Sequence, residues 1–225
     1  MIIPLWIWII VALLVLGIAA AALFSSYENK KLTVEHYKVE SNKIPETFDG
    51  YRIVFLTDLH CAQFGEDNEE LIRKIDECDP DVILVGGDMV VSHESMDEEI
   101  PLSLMKRLAQ KYQVYYADGN HELKLARNEE VFGVRYKDYI HNLKECGVHH
   151  MSNETIVIQS ETGFISLTAF DLEKKYYQRF HVPQMPLSHM ESVVGRSPGN
   201  IFHILLAHNP NYLKTYAQWG SDLVL

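Results

Sequence analysis

Four short runs of apolar and β-branched residues alternate with segments of helical periodicity along most of this chain. Each run has the length and composition of a strand that is covered on both faces. The four runs are YRIVFLT (51–57), DVILVGG (81–87), QVYYADG (113–119) and IFHILLA (201–207). Apolar residues recur at helical spacing in the segments 69–78, 101–111, 129–146 and 212–219. This order predicts mostly parallel pairing with helices on the sheet faces, so the predicted fold class is α/β.

Further strands are predicted outside this alternation. Residues 154–159 and 164–170 flank Glu161-Thr162-Gly163, which predicts a hairpin. An alternating stretch at 32–39 and the final SDLVL at 221–225 predict one strand each. The hairpin indicates a second sheet or an antiparallel edge, which gives the α/β class a mixed α+β character.

Residues 2–24 contain no charged side chain and predict a transmembrane helix. At 1.5 Å per residue this helix would reach about 34 Å, enough to cross a hydrocarbon core of about 30 Å. Trp6 and Trp8 lie near one end, where aromatic rings favour the membrane interface. We therefore predict a transmembrane anchor at 1–24, a linker with a first strand at 25–49, and one domain at 50–225. A cleavable signal peptide is the alternative, because the small residues 19–22 could hold a cleavage site.

The charges beside this segment do not decide the side of the membrane on which the domain lies. Lys30 and Lys31 follow the apolar segment and no basic residue precedes it, which favours a cytoplasmic domain by the positive-inside rule. A signal-like start that leads into an external domain is the other interpretation. The expected localisation is therefore a single-pass membrane protein with its side undecided.

The charge balance excludes one class of partner. The chain has 20 Lys and Arg against 31 Asp and Glu, a net charge of −11, which disfavours binding to a nucleic-acid backbone. It would also repel phosphate-bearing substrates unless a bound cation reverses the local field. Three cysteines, Cys61, Cys78 and Cys146, are too few and too widely spaced for a disulfide framework or a zinc knuckle.

Side chains of metal-ligand type follow all four apolar runs. They are Asp58 and His60 after the first run, Asp88 after the second, Asn120, His121 and Glu122 after the third, and His208 after the fourth. In open α/β sheets the carboxyl ends of the strands line the ligand crevice, so these side chains are expected to converge. An extended backbone would also point Asp58 and His60 to one side and Leu59 to the other.

The ordered set Asp58-x-His60, Gly87-Asp88, Gly119-Asn120-His121-Glu122 and His208 resembles the motifs of the calcineurin-like metallophosphoesterase family, in particular its membrane-anchored bacterial branch. The resemblance covers about residues 51–225 and implies a two-sheet β-sandwich flanked by helices. It also implies roles: Asp58 and His60 would hold one divalent metal, Asp88 would bridge two, and Asn120 and His208 would hold the second. His121 would be the catalytic residue beside the scissile ester.

The chain departs from the family pattern at its end. The family's final Gly-His-x-His motif, which supplies one histidine to each metal, does not occur, and we expect the sequence to be truncated after Leu225. Loss of both histidines would remove one ligand from each metal site. Asp, Asn and His ligands without a thiolate suit Mn, Fe or Zn.

The predicted function is hydrolysis of phosphomonoesters or phosphodiesters by two divalent metal ions, with lipid-linked pyrophosphates among the candidate substrates. The expected partners are a lipid bilayer and a small phosphorylated or lipid-linked substrate, without nucleic acid; no oligomeric state is predicted. Two alternatives stay open: a non-catalytic membrane-anchored binding module that keeps the fold, and a zinc-dependent amide or ester hydrolase.

Three neighbouring features have less specific interpretations. Glu122 is predicted either to orient a histidine or to face solvent. His149 and His150 are adjacent and predict an exposed pair. Asp171, at the end of a predicted strand, either shapes a substrate pocket or lies in a solvated loop.

Overall fold

The computed structural model describes residues 4–28, 31–178 and 182–225, which divide into an N-terminal unit ending at Tyr37 and a larger unit from Lys38 to Leu225. The N-terminal unit contains helix α1, Leu5–Glu28. Its segment Leu5–Ser25 has a mean hydropathy of 2.9 and is long and apolar enough to cross a membrane. Residues 1–3 of the predicted anchor and residues 29–30 of the predicted linker lie outside the described residues, and the domain boundaries stay predictions.

The first sheet of the larger unit is entirely parallel. Its strands pair in chain order and are β1 (Ile53–Leu56), β2 (Val82–Val85), β3 (Gln113–Ala117) and β4 (His149–Met151). The helices between them are α2 (Glu69–Cys78), α3 (Glu99–Ala109), α4 (Asn120–Arg127), α5 (Glu129–Phe132) and α6 (Arg135–Glu145). This sheet holds three of the four predicted apolar runs.

The second sheet combines a hairpin with parallel strands. Its strands also pair in chain order and are β5 (Thr155–Ser160), β6 (Gly163–Ala169), β7 (His203–Leu206) and β8 (Leu223–Val224). The β5–β6 pair is antiparallel, and the other pairs are parallel. Helix α7 (Leu187–Val194) lies between β6 and β7 in the chain, and α8 (Leu213–Trp219) lies between β7 and β8.

Successive residues of a strand point to opposite faces of the sheet, so the described residues form three separate apolar cores. Val82 and Leu84 of β2 pack with residues of the second sheet, whereas Ile83 and Val85 pack with the helices of the first. Leu205 of β7 points away from the inter-sheet core, into a cluster formed with α7 and α8. Each fully buried side chain of this size contributes roughly 1.5–3 kcal/mol relative to an exposed one. The layers are therefore helices, sheet, sheet and helices.

This architecture confirms the predicted fold class, a mixed α/β fold with two sheets flanked by helices. The predicted hairpin is present, with its turn at Glu161 and Thr162. It provides both a second sheet and an antiparallel edge, which the sequence offered as alternatives. The first apolar run lies at the edge of its sheet, so all four residues of β1 stay half-buried rather than fully covered.

Two predicted elements are wrong. Residues 31–40 have no regular structure, and Val34 and Val39 are 38% and 44% exposed, although 32–39 was expected to form a strand. Alternation alone does not form a strand, because the backbone groups need a pairing partner. The expected helix at 129–146 is broken at Gly133, whose φ of +62° ends α5 before α6 begins.

Candidate metal centre

Residues that follow β1, β2, β3 and β7 meet at one place. Asp58, Asp88 and His208 each offer a ligand atom, and these atoms lie within 4.8 Å of one another. His60, Asp88 and His121 form a second group by the same criterion. Five of the six predicted site residues therefore come together, and Asp88 belongs to both groups.

The sixth predicted residue, Asn120, is the first residue of α4 and immediately precedes His121 in the chain. It is half-buried. In the part of the chain that the structure describes, its side-chain amide has no hydrogen-bond partner. Its role as a ligand therefore stays a prediction that rests on the resemblance.

The backbone between β1 and the site differs from the extended geometry that was predicted. Asp58, His60 and Asp88 have φ angles of +56°, +50° and +52°, in the left-handed region that non-glycine residues rarely adopt. Hydrogen bonds to the segment after β2 accompany this geometry: Asp58 N–H donates to the Gly87 carbonyl at 3.0 Å, and His60 N–H to that of Asp88 at 3.0 Å. Leu59 is buried in the core, as expected.

Asp88 lies at the centre of the site, with only 4% of its side chain exposed. Its Oδ1 accepts the backbone N–H of His121 at 2.8 Å. Its Oδ2 lies 3.1 Å from Nε2 of His208, 3.9 Å from Nε2 of His121 and 4.0 Å from Nε2 of His60. Burial alone would raise the pKa of Asp88, but the hydrogen bonds from His208 and His121 outweigh it and lower the pKa. The carboxylate is therefore held in its ionised form.

His208 is oriented by a backbone carbonyl. Its Nδ1 lies 2.8 Å from the Gly86 carbonyl oxygen, which can only accept, so Nδ1 carries a hydrogen. The other nitrogen, Nε2, faces Asp88 and lies 3.9 Å from Oδ1 of Asp58. Burial would lower the pKa of His208, but the hydrogen bond and charge of Asp88 raise it to about 9. A neutral His208 directs the lone pair of Nε2 at the carboxylates, as a metal ligand requires.

His121 is held in the opposite tautomer. Its Nδ1 lies 2.7 Å from the backbone nitrogen of Ser92 and 2.8 Å from the Ser92 hydroxyl. A backbone N–H can only donate, so Nδ1 accepts and the neutral ring carries its hydrogen on Nε2. Burial lowers the pKa of His121, although Asp88 opposes this shift. His121 therefore presents a hydrogen-bond donor, rather than a lone pair, to the space above Asp88.

Asp58 and His60 form the more exposed side of the site, with 52% and 38% of their side chains exposed. Nε2 of His60 lies 3.4 Å from Oδ1 of Asp58. The Thr57 hydroxyl donates to Oδ2 of Asp58 at 2.8 Å. The ring of His60 meets that of His121 edge-on, with centroids 5.0 Å apart. This side of the site is the one open to solvent.

The donor set fits a divalent cation. Asp58 and Asp88 bring two carboxylates together, and within the described ranges only histidines form ion pairs with them. Without a lysine or arginine partner, the two negative charges repel each other unless a cation or protonated imidazoles lie between them. Carboxylate oxygens together with imidazole nitrogens form a ligand set for Mn, Fe or Zn.

Glu122 does not face solvent, and among the described residues its carboxylate contacts no histidine side chain. It is fully buried, and its carboxylate accepts hydrogen bonds from backbone N–H groups, including those of Asp88 and Gly119. Burial, together with the charge of Asp118, raises the pKa of Glu122 to about 7, whereas the Tyr116 hydroxyl lowers it. The spacing Gly119-x-x-Glu122 at a helix start is a capping pattern that could have indicated this bonding.

The predicted exposed histidine pair is wrong for His150. His149 is exposed, but 7% of the His150 side chain is accessible, and its Nε2 lies 3.0 Å from Oδ1 of Asp118. The Tyr136 hydroxyl donates to the other oxygen of Asp118 at 2.6 Å. Asp118 lies two residues before Asn120, so this pair adjoins the site without belonging to it. No pattern in the sequence indicates a contact between two single residues so far apart.

Asp171 and Asn209 also follow strands but bond to other parts of the chain. The Ser152 hydroxyl donates to Oδ2 of Asp171 at 2.5 Å, and burial with the charge of Asp118 raises the pKa of Asp171 to about 7. Asn209, next to His208, donates from its side chain to the Tyr176 carbonyl at 3.0 Å. Neither residue belongs to the two ligand groups.

Comparison with known proteins agrees with this geometry. A family model described as calcineurin-like phosphoesterase matches residues 51–225. The chain is 27% identical, over 84% of its length, to a Danio rerio protein named "Transmembrane protein with metallophosphoesterase domain". Over 40% of its length it is 30% identical to a Bacillus subtilis (strain 168) protein named "Uncharacterized metallophosphoesterase YkuE". The matches cover 41% and 32% of those two proteins, so the chain spans less than half of each. The resemblance seen in the sequence motifs is thereby confirmed, and the chain belongs to the calcineurin-like phosphoesterase family.

Proposed function

We propose that this chain belongs to a membrane-anchored phosphoesterase that uses two divalent metal ions to hydrolyse phosphomonoesters or phosphodiesters. Family membership indicates a hydrolase, and members of the family usually bind divalent metals. One apolar N-terminal helix could span a membrane, and the Danio rerio relative is named a transmembrane protein. The number of metals, the substrate and the anchoring are the parts of this function that we propose.

The position of Asp88 carries the proposal. It is the one residue that the two candidate ligand groups share among the described residues. A carboxylate has two oxygens and can bind two cations at once, which is what a two-metal site needs at its centre. Nε2 atoms of three histidines, His60, His121 and His208, all face Oδ2 of Asp88. Oδ1 of Asp58 lies 3.4 Å from Nε2 of His60 and 3.9 Å from that of His208.

Four residues that the structure brings together would hold the metals: Asp58, His60, Asp88 and His208. Asn120 completes the set by resemblance. The hydrogen on Nε2 argues against His121 as a ligand, although it belongs to one of the two groups. The metals, when bound, would neutralise the phosphoryl oxygens and lower the pKa of a bound water.

His121 is assigned the second chemical task, which is to assist departure of the leaving group. The backbone N–H of Ser92 makes Nδ1 an acceptor, so the hydrogen of the neutral ring is on Nε2, and this nitrogen lies 3.9 Å from Oδ2 of Asp88. A donor in this position can supply a hydrogen bond or a proton to the oxygen of the leaving alcohol. The edge-on contact with the His60 ring limits rotation of the imidazole.

The proposed partners follow from charge and from the anchor. The net charge of −11 leaves a cation at Asp88 as the main attraction for a phosphate group and disfavours nucleic acid. A helix in the bilayer would keep the site near membrane-borne substrates, so lipid-linked phosphate esters and pyrophosphates join the candidate substrates.

The test uses the full-length protein, purified in detergent and loaded with Mn²⁺, Fe²⁺ or Zn²⁺. We expect cleavage of 4-nitrophenyl phosphate or bis(4-nitrophenyl) phosphate, and loss of this cleavage in Asp88→Asn, which keeps the size of the side chain but not its charge. Asp138→Asn on the exposed face of α6 is the matched control and should leave the rate unchanged.

Other results would overturn the proposal. Equal rates in Asp88→Asn and the wild type would place the chemistry elsewhere. Cleavage of 4-nitrophenyl acetate without cleavage of either phosphate would support a carboxylic ester hydrolase instead. Metal analysis that finds one equivalent per chain in an active protein would contradict the two-metal site.

A further inference from the structure

The carboxylate of Glu122 accepts hydrogen bonds from two separate backbone segments. Its Oε2 accepts the N–H of Asp88 at 2.8 Å and the N–H of Gly119 at 3.0 Å. Its Oε1 accepts the N–H of Met89 at 3.0 Å and the hydroxyl of Tyr116 at 2.7 Å. The residue is completely buried, and none of the ion pairs among the described residues involves it.

These two segments carry the groups that the proposed reaction needs. The turn after β2 carries Asp88, and the segment that begins α4 carries Asn120 and His121. A single oxygen of Glu122 bonds to both segments, so its position sets the distance between them. The carboxylate itself belongs to neither ligand group and is shielded from solvent.

The two segments lie too close together to accept a side chain at Gly87 or Gly119. A Cβ atom added at Gly87 would collide with the backbone of Gly119, and one added at Gly119 would collide with Asp88. The segments are therefore in direct backbone contact, and their N–H groups point at Glu122. Buried N–H groups without an acceptor cost free energy, and hydrogen bonds to an ionised acceptor are stronger than neutral ones.

We propose that Glu122 is a positioning residue that holds Asp88 and His121 in register for metal binding and catalysis. This inference rests on the proposed function. Glu122 acts through the backbone of Asp88, Met89 and Gly119 and contacts neither metal nor substrate. Its loss is expected to lower Mn²⁺ affinity about 10- to 100-fold, the range typical of groups that orient metal ligands.

The test compares two substitutions of similar size in the full-length protein. Glu122→Met removes every acceptor and should weaken Mn²⁺ binding by at least about tenfold. Glu122→Gln can keep its oxygen towards Asp88 and Gly119 and turn its amide towards the Tyr116 hydroxyl, which can accept, so that only the N–H groups of Met89 and Val90 lose their acceptor. Glu122→Gln is therefore expected to stay within about threefold of the wild type. Glu145→Met, at the exposed end of α6, is the matched control.

A spectroscopic measurement separates this role from general stability. In protein labelled with ¹⁵N-glycine, the amide proton of Gly119 should resonate far downfield because it donates to a carboxylate. Glu122→Met should shift this resonance upfield, and Glu122→Gln should shift it much less. An unchanged Gly119 resonance or unchanged Mn²⁺ affinity in folded Glu122→Met would overturn the inference.

A second comparison covers the case in which Glu122→Met does not fold. In the double variant Glu122→Gln with Tyr116→Phe, the new amide also loses the Tyr116 hydroxyl as its acceptor. Mn²⁺ affinity should then fall at least about tenfold, although each single change costs little. Additive small effects would contradict the inference. Failure of the wild type itself to bind Mn²⁺ or cleave phosphate esters would instead count against the proposed function.

Discussion

Nε2 of His208 lies 3.1 Å from Oδ2 of Asp88, and these two atoms join the two sheets of the fold at the candidate metal centre. Asp88 follows β2 of the first sheet, and His208 follows β7 of the second. The Gly86 carbonyl holds the opposite side of the imidazole. Because each sheet contributes one candidate ligand, the candidate metal centre depends on correct packing of the two sheets.

His208→Ala should weaken Mn²⁺ binding by more than about tenfold, because it removes a nitrogen that already points at Asp88. Isothermal titration of the full-length protein with Mn²⁺ measures this change. His149→Ala, which alters an exposed histidine on β4, serves as the control. Unchanged affinity in His208→Ala would remove this residue from the ligand set.

His121→Ala should lower turnover about 10²- to 10⁴-fold while the amount of bound metal stays nearly the same. The reason is that Ser92 leaves the hydrogen of a neutral His121 on Nε2, where it can serve as a donor. Turnover of an aryl phosphate and metal analysis on the same sample give the answer. A loss of metal in proportion to the loss of turnover would show that His121 is a ligand.

Ser92→Ala tests which group holds His121. The substitution removes the hydroxyl but keeps the backbone N–H, which lies 2.7 Å from Nδ1. We expect turnover to fall much less than in His121→Ala, because the remaining N–H still requires Nδ1 to accept. Equal losses in the two variants would show that the hydroxyl, rather than the backbone, determines the orientation of the ring.

Gly119→Ala should damage the site without backbone strain, because Gly119 has a φ of −91° that alanine readily adopts. The added methyl group would collide with the Asp88 carboxylate and backbone nitrogen. Overpacking of this kind costs typically about 1–3 kcal/mol, and displacement of Asp88 should also lower metal affinity. Thermal unfolding and Mn²⁺ titration measure the two effects. An unfolding temperature and a Mn²⁺ affinity equal to those of the wild type would mean that the segments of Asp88 and Gly119 can move apart without a cost in free energy.

His203 should make the domain less stable in acid. Burial lowers its pKa from 6.5 to about 4, although Asp222 opposes the shift. The unfolded chain therefore binds more protons between these two values, so stability falls as the pH drops from about 6.5 towards 4. Between these two pH values, His203 should change the free energy of unfolding by about 3 kcal/mol. Most of this pH dependence should disappear in His203→Gln. Urea unfolding at several pH values measures it, with His149→Gln as the control. An identical pH dependence in His203→Gln and the wild type would contradict this assignment.

The ends of the buried strands could be predicted because a strand that is covered on both faces is a continuous run of apolar residues. Runs such as 82–85 are apolar throughout, since strands between two layers have no solvent face. The residue after each run is then at the sheet edge, which is why Asp58, Asp88 and His208 were expected together. The 32–39 stretch instead alternates apolar and polar residues, as a half-buried strand does, but it has no pairing partner among the described residues. Local composition does not report whether a partner exists.

The roles of the histidines could not be read from the sequence in the same way. His121 and His208 have the same side chain and approach the same carboxylate oxygen, yet Nδ1 of His121 accepts from Ser92 whereas Nδ1 of His208 donates to the Gly86 carbonyl. Both contacts join residues that are distant in the chain. The buried position of Glu122 depends likewise on segments that come into contact only when the sheet forms.

The amino-acid sequence by itself determined which chemical groups follow the strands and that these ends would share one edge, because strand periodicity and chain order are local properties. Only the tertiary structure decided which nitrogen of each imidazole carries its hydrogen, which carboxylate is buried among backbone N–H groups, and how Asp58 and His60 are turned. Those properties depend on hydrogen bonds between distant segments, and such bonds exist only after the two sheets have packed.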